Sequence, residues 1–160
     1  MTTRRTLLGL AAALPFALPF ASRSFAATGT FAYSLTDAQW RQKLPAAAYA
    51  VLRLESTERP YSSALNDEHR VGTFTCKGCA LPLFASKTKF DSGTGWPSFW
   101  APLAKSIGTT TDSSLFMKRT EVHCARCGGH LGHVFDDGPR PTGLRYCMNG
   151  AALVFTPAKV

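Results

Sequence analysis

The sequence predicts a mainly β fold that begins with two short helices and is held together by a metal site. From residue 71 onward, short apolar runs alternate with turn residues, and the chain contains 13 glycines and 10 prolines. This composition is typical of short strands joined by tight turns. Two C-x-x-C motifs lie in the same stretch, and such pairs commonly bind a structural zinc ion. The 160 residues are enough for one domain with its own core.

The first 26 residues have the pattern of an export signal. Arg4 and Arg5 precede an apolar run at 7–20, and Ser24 and Ala26 supply the small residues that a signal peptidase requires. The run is shorter than the roughly 20 residues of a membrane-spanning helix, and the two arginines resemble a twin-arginine signal. A Sec signal and an uncleaved anchor are the alternatives. We expect an exported, periplasmic protein with a linker at 27–34, a domain at 35–160 and no stable membrane association after cleavage.

The distribution of charge argues against a nucleic-acid partner. The formal net charge is +8, but Arg4, Arg5 and Arg23 belong to the export signal and the other basic residues are scattered. A nucleic-acid site normally requires a cluster or stripe of lysine and arginine.

Two helices are predicted before the strands begin. Thr36 is a suitable N-cap for a helix over 37–43, and Pro45 suits the first turn of a second helix that ends near Arg53. Residues 55–70 are polar and irregular, which predicts a loop that wraps the domain. The strands predicted after this loop lie at 71–75, 81–84, 115–123, 134–135, 144–148 and 151–155.

The two C-x-x-C motifs, Cys76/Cys79 and Cys124/Cys127, supply the four thiolates of a closed tetrahedral zinc site. Such a site has no open position, which argues against a catalytic zinc ion. The 44 residues between the motifs exceed the spacer of a simple zinc ribbon, so other structure must lie between the two halves. Two disulfides, favoured in an oxidising compartment, and a redox-active C-x-x-C are the alternatives. The redox motif usually opens a helix in a βαβ unit, and no such unit is apparent here.

The fifth cysteine, Cys147, belongs to neither motif and lies in the run RYCMN at 145–149. If this run is a strand, Arg145, Cys147 and Asn149 share one face. A cation beside a thiol favours the nucleophilic thiolate, and an amide can hydrogen-bond an oxygen that gains negative charge. The alternative is a buried structural cysteine, because free cysteines are often buried.

Two further motifs carry candidate site residues. In DSGTGWPSF at 91–99, Trp96 lies at the expected tip of a loop. Its ring can form a wall of an apolar pocket with the indole N–H as a polar group, and a core position is the alternative. In GGHLGHVFDDGP at 128–139, His130 and His133 are expected in a glycine-rich loop. They are candidates for proton transfer, with structural or metal-binding roles as the alternatives.

The order of these motifs resembles the methionine-R-sulfoxide reductase family. The match covers about residues 35–155 and includes TERPYS at 57–62, and the pairing of GGHLGHVF with RYC is its most specific part. The resemblance implies two antiparallel sheets with short helices packed outside. It also implies reduction of the R epimer of methionine sulfoxide, within proteins in preference to the free amino acid.

The resemblance implies roles for the candidate residues as well. Cys147 would be the nucleophile that becomes a sulfenic acid, and the four paired cysteines would bind one structural Zn2+ per chain. The substrate methyl group would contact Trp96, and the substrate site would include Phe135 and Arg145. The sulfoxide oxygen would be bound or protonated by His130, His133 and Asn149.

The sequence departs from many family members at one position. The family often carries a second, resolving cysteine where Thr94 lies here. We therefore expect no intramolecular disulfide in the cycle, and reduction of the Cys147 sulfenic acid by a thioredoxin-like protein or a small thiol. A zinc-stabilised peptide-binding module without turnover is the alternative function. We expect a monomer.

Overall fold

The computed structural model describes residues 29–113 and 118–159. The predicted export signal therefore lies outside the described residues. The helices are α1, Asp37–Lys43, and α2, Ala46–Leu54. The strands are β1 Gly72–Cys76, β2 Pro82–Ala85, β3 Lys89–Phe90, β4 Ser98–Phe99, β5 Ile107–Asp112, β6 Arg119–Cys124, β7 His130–Phe135, β8 Arg145–Met148 and β9 Leu153–Pro157.

The nine strands of the described residues form two antiparallel sheets. One has three strands in the order β2-β1-β9, and the other has six in the order β3-β4-β8-β7-β6-β5. The prediction of a mainly β fold with two antiparallel sheets and short helices is confirmed. No helix in the described part of the chain is long and apolar enough to cross a membrane.

The two helices begin and end close to the predicted residues. The Thr36 hydroxyl accepts from the backbone N–H of Gln39, and the Gln39 side chain accepts from the backbone N–H of Thr36, which forms a capping box. Pro45 is the N-cap of α2 and not part of its first turn. A proline keeps the residue before it extended, so Leu44 is not helical and α1 ends at Lys43. The loop at 55–70 contains a short 3-10 helix, Ala64–Asp67, that the sequence did not reveal.

Several strands differ from the prediction. The sequence did not predict β3, β4 or β5. β3 and β4 have only two residues each, which is too short to show an alternating pattern of apolar and polar residues. β7 begins at His130, four residues before the predicted start. The two histidines therefore lie in a strand and not in a glycine-rich loop. Glycine is depleted in strands, so Gly132 within β7 made this segment look like a loop in the sequence. The predicted start of β6 falls at 115, outside the described residues.

Aromatic side chains pack the two sheets against each other. The ring of Phe84 in β2 stacks on that of Phe99 in β4, with centroids 4.3 Å apart. Phe74 in β1 meets Phe99 edge-on at 4.9 Å, and all three rings are fully buried. Burial of each ring contributes about 2–3 kcal/mol. One face of the six-stranded sheet is thereby committed to the core.

A β-bulge aligns residues on the opposite face of that sheet. Side chains alternate along a strand, so residues three apart normally point to opposite faces. Between His130 and Gly132, β7 has one residue more than the paired stretch of β6. The extra residue returns His133 to the same face as His130. Cys147 of β8 pairs with His133 and therefore shares this face.

Candidate active site

The four paired cysteines form a single cluster between the sheets. Their Sγ atoms all lie within 4.8 Å of one another. Cys76 Sγ is 3.7 Å from Cys127 Sγ, and Cys79 Sγ is 3.5 Å from Cys124 Sγ. Four sulfurs bound tetrahedrally to zinc at about 2.3 Å would be about 3.8 Å apart. All four are buried and none forms a disulfide. The cluster therefore fits a metal ion and not the two-disulfide alternative.

The two C-x-x-C motifs adopt the same turn. The Cys76 carbonyl accepts from the N–H of Ala80 at 2.7 Å, and the Cys124 carbonyl accepts from the N–H of Gly128 at 2.9 Å. Ala80 and Gly128 both have a positive φ, of 59° and 65°. Cys76 ends β1 and Cys124 ends β6. The cluster therefore links the three-stranded sheet to the six-stranded sheet.

Cys147 lies apart from the cluster, half-buried in a pocket on the other face of the six-stranded sheet. The pocket has a volume of about 170 Å³. Pockets for drug-sized ligands measure roughly 300–1,000 Å³, so this one suits a single small side chain. Of the residues predicted for the site, the pocket brings together Trp96, His133, Phe135, Cys147 and Asn149.

Arg145 and His130 do not line the pocket but contact residues that do. The Arg145 guanidinium lies over the Phe135 ring, 4.4 Å from its centroid, and makes two hydrogen bonds of 2.8 Å to Asp137. These bonds to Asp137 raise the pKa of Arg145, and the nearby Cys147 acts in the same direction. Asp137 thus offsets the charge of Arg145, which approaches the pocket at the Phe135 ring and at Cys147.

His133 is the histidine that faces the pocket. Its Nε2 lies 2.9 Å from Asp112 Oδ2, and Asp112 also binds Arg119 at 2.7 Å. Burial lowers the pKa of His133, Asp112 acts in the opposite direction, and the charge of Arg119 lowers it further. A neutral ring that donates Nε2–H to Asp112 has Nδ1 as an acceptor. In this tautomer, His133 is prepared to take a proton.

His130 lies behind His133, with ring centroids 5.4 Å apart. It is 2% exposed, and its Nδ1 is 2.9 Å from Oε1 of the buried Glu121. Its Nε2 has no hydrogen-bond partner among the described residues. A direct contact between His130 and a substrate oxygen therefore stays a prediction.

The polar groups of Trp96 and Asn149 are engaged within the protein. The Trp96 indole N–H donates to the Glu58 carbonyl at 3.1 Å, so it is not available to a ligand as the sequence suggested. Asn149 Oδ1 accepts from the Glu58 N–H at 3.0 Å, and its Nδ2 donates to the Leu131 carbonyl at 3.1 Å. An amide nitrogen carries two protons, so one N–H of Asn149 remains for a ligand.

Sequence reasoning missed several residues that build the pocket. Glu58 binds both Trp96 and Asn149 through its backbone, and its carboxylate accepts from the N–H groups of Gly150 and Ala151 at 2.6 and 2.8 Å. Its only sequence signal was its place in TERPYS. The other missed residues are Asp112 and the lining residues Thr57, Arg119, Gly132 and Met148.

A larger groove of about 670 Å³ lies along α2, the 56–65 segment and β9. Small and apolar side chains form most of its lining, and neither cysteine nor histidine belongs to it. It therefore offers none of the chemistry of the Cys147 pocket.

These features define a class of protein: two antiparallel sheets joined by a four-sulfur site, with one separate thiol in a small pocket. A family model described as the SelR domain matches residues 44–157. The chain is 55% identical over 123 residues to "Peptide methionine sulfoxide reductase MsrB" of Bradyrhizobium diazoefficiens, covering 76% of this chain and 88% of the relative. It is 57% identical over 120 residues to the protein of that name in Pseudomonas putida, covering 74% and 90%. The chain belongs to the SelR-domain family, which confirms the resemblance.

Proposed function

We propose that this protein reduces methionine-R-sulfoxide in peptides and proteins to methionine, with Cys147 as the nucleophile. The observation that supports this proposal is the position of Cys147 in a small pocket walled by Trp96, Phe135 and His133. The aromatic rings suit the methyl group of a methionine side chain, and the chain is related to proteins named peptide methionine sulfoxide reductase.

In the first step, His133 takes the thiol proton of Cys147 at Nδ1. The thiolate attacks the sulfoxide sulfur, and the proton passes to the sulfoxide oxygen. The remaining N–H of Asn149 and the charge of Arg119 stabilise this oxygen as it gains negative charge. The oxygen then moves from the substrate sulfur to Cys147 Sγ: the new Sγ–O bond forms as the substrate S–O bond and the S–S bond made in the attack both break. Methionine leaves, and Cys147 carries the oxygen and its proton as a sulfenic acid.

In the second step, two external thiols restore the enzyme. One condenses with the sulfenic acid and releases water, and the other breaks the mixed disulfide, which returns the Cys147 thiol and leaves the reductant as a disulfide. Within the chain, Thr94 Oγ1 lies 3.8 Å from Cys147 Sγ, where a second cysteine would be needed. The other four cysteines belong to the cluster. The reductant is therefore a thioredoxin-like protein or a small thiol.

The four-sulfur cluster binds one structural Zn2+ in this proposal. Its sulfur spacing and burial fit zinc, and four thiolates complete the coordination of the ion. The metal stabilises the fold and takes no part in sulfoxide reduction.

The protein acts in the periplasm after export through the signal at 1–26. The sequence of this segment supports the twin-arginine route, which carries folded proteins and would let the metal site fill before export. Replacing both Arg4 and Arg5 by lysine should retain the protein in the cytoplasm, as measured by cell fractionation. Unchanged export would favour the Sec route.

The proposed function is tested by turnover of the separate R and S epimers of a methionine sulfoxide peptide, with dithiothreitol as reductant. We expect consumption of the R epimer alone, and no turnover by Cys147→Ser, which keeps the fold and the metal. Mass spectrometry after one turnover without reductant should find one added oxygen on Cys147. Peptide binding without turnover, or a disulfide between Cys147 and a cluster cysteine, would contradict the proposal.

A further inference from the structure

Three hydroxyl groups form a chain of hydrogen bonds that ends at the sulfur of Cys147. Thr94 Oγ1 contacts Cys147 Sγ at 3.8 Å, and Ser92 Oγ lies 2.8 Å from Thr94 Oγ1. Ser92 Oγ is also 2.8 Å from Ser98 Oγ, which donates to the Trp96 carbonyl at 3.0 Å. The loop before β4 and the first residue of β4 supply all three hydroxyls.

The surrounding structure holds this chain in place. Ser98 pairs with Cys147 across β4 and β8 and is fully buried. The loop is anchored by Tyr61, whose hydroxyl donates to the Gly93 carbonyl at 2.6 Å, and by Asn66, whose side chain donates to the Gly95 carbonyl at 3.1 Å. The hydroxyl beside the sulfur is therefore positioned by contacts within the protein.

The direction of the hydrogen bonds depends on the protonation state of Cys147. The chain of hydrogen bonds has four links, but its three hydroxyls carry only three protons. A thiol supplies the fourth proton and donates to Thr94. Each hydroxyl then donates away from the sulfur: Thr94 to Ser92, Ser92 to Ser98, and Ser98 to a backbone carbonyl. A thiolate can only accept, so Thr94 must donate to it. With the thiol proton gone, three protons serve four contacts, so one contact between neutral groups loses its hydrogen. Hydrogen bonds to a charged acceptor are stronger than those between neutral hydroxyls, so the bond from Thr94 to the thiolate outweighs this loss.

We infer that Thr94 is a hydrogen-bond donor that stabilises the Cys147 thiolate, and that Ser92 positions Thr94 for this role. The inference rests on the proposed function only in that the thiolate is the nucleophile of that reaction. The titratable and charged groups around Cys147 are His133 of β7, Arg119 of β6 and Arg145 of β8 itself, and these are backed by Asp112 and Asp137. A substitution at position 94 leaves all five in place.

The test compares Thr94→Val, which keeps the side-chain shape without the hydroxyl, with Thr94→Ser, which keeps the hydroxyl. The rate of alkylation of Cys147 by iodoacetamide is measured against pH on the full, metal-loaded chain, with Cys147→Ser as the background for the cluster cysteines. We expect Thr94→Val to raise the midpoint of this titration and to lower the rate at neutral pH by about threefold to tenfold. Thr94→Ser should match the original protein.

Two further variants separate the hydrogen-bond chain from general effects of substitution. Ser92→Ala should shift the titration in the same direction by a smaller amount. Thr156→Val replaces an exposed threonine of β9 and should change nothing. Turnover by Thr94→Val should recover as the pH rises, because the thiolate then forms without the hydroxyl. A defect confined to packing would not recover in this way.

The outcomes distinguish this inference from the proposed function. If the R epimer is reduced but folded Thr94→Val titrates as the original protein does, the inference is wrong and the function stands. If the original protein has no turnover but Thr94→Val still shifts the titration, the function is wrong and the inference stands. Thr94→Ala, which also lacks the hydroxyl, serves the same comparison if the valine variant does not fold.

Discussion

Glu58 connects two walls of the Cys147 pocket through hydrogen bonds of its backbone and its side chain. Its backbone binds the Trp96 indole and the Asn149 amide. Its carboxylate accepts from two successive backbone N–H groups, at Gly150 and Ala151. Such charge-assisted bonds are stronger than neutral ones. The position of both side chains in the pocket therefore depends on a residue outside it.

We expect Glu58→Gln to weaken substrate binding as well as stability. A glutamine side chain has one acceptor oxygen, so one of the two N–H groups loses its partner. The free energy of unfolding should fall by about 1–2 kcal/mol, and KM for a methionine sulfoxide peptide should rise severalfold because Trp96 and Asn149 shift. Urea unfolding and steady-state kinetics measure the two effects. Glu68→Gln, which alters a partner of the exposed Arg70, is the control. A loss of stability with an unchanged KM would limit Glu58 to a structural role.

His133 should titrate below the ordinary histidine pKa of about 6.5, because burial disfavours its charged form. Asp112→Asn should lower the pKa further, since it removes a carboxylate that stabilises the protonated ring but keeps an oxygen that accepts Nε2–H. NMR titration of the histidine resonances, assigned with His133→Asn, measures the pKa. Asp136→Asn, at an exposed position, is the control. A rise in the pKa after Asp112→Asn would contradict this assignment of partners.

At the scale of single elements, β7 carries the features that bring its residues to the site. Its bulge places His130 and His133 on one face, and Gly132 lies where β7 and β8 approach closely. A Cβ atom on Gly132 would lie 2.1 Å from the Cys147 carbonyl oxygen. The strand pairing that sets the position of Cys147 beside His133 therefore requires glycine at this residue.

We expect Gly132→Ala to lower the free energy of unfolding by about 1–3 kcal/mol, because the strands must separate locally to admit the methyl group. Gly143→Ala is the matched comparison. Its φ is +72° and no atom of the described residues lies within 4 Å of the Cβ that alanine would add, so it should cost only the strain of a positive φ, about 1 kcal/mol. Urea unfolding compares the two. An equal loss in both variants would mean that β7 and β8 tolerate the methyl group.

At the scale of the whole molecule, the four-sulfur cluster links the two sheets at the ends of β1 and β6. Aromatic packing around Phe99 supports the same junction from within the core. A metal ion at the cluster would therefore hold together two sheets that are formed by distant parts of the chain. The Cys147 pocket lies on the six-stranded sheet, and its geometry depends on that sheet being intact.

We expect removal of the metal, or Cys79→Ser, to lower the midpoint of thermal unfolding by about 10 °C or more, because the binding free energy of a structural metal contributes to folding. Circular dichroism measures the midpoint, and elemental analysis measures zinc in the same sample. Cys147→Ser, which lies outside the cluster, should retain one zinc per chain and an unchanged midpoint. An unchanged midpoint after complete removal of the metal would contradict the structural role.

The features that could be predicted from the sequence are those set by neighbouring residues. The N-cap at Thr36 is bonded to a residue three positions away, and the alternation in RYCMN follows from the geometry of one strand. The four paired cysteines were recognisable as a ligand set because their spacing within each motif is local. The order of the motifs along the chain is likewise specific enough to identify the family.

The composition of the pocket depended on contacts between distant residues. Glu58 and Asn149 are 91 positions apart, and His133 and Asp112 are 21 apart. The bulge in β7 and the two-residue strands β3 and β4 leave no periodic pattern in the sequence.

Residue type and local spacing are enough to identify the reactive groups of the chain: a separate thiol, the two histidines of GGHLGHVF and four paired cysteines. Which of these groups meet depends on the three-dimensional fold. Antiparallel pairing and its register are fixed by hydrogen bonds between strands far apart in the chain, and a shift of one residue sends a side chain to the opposite face.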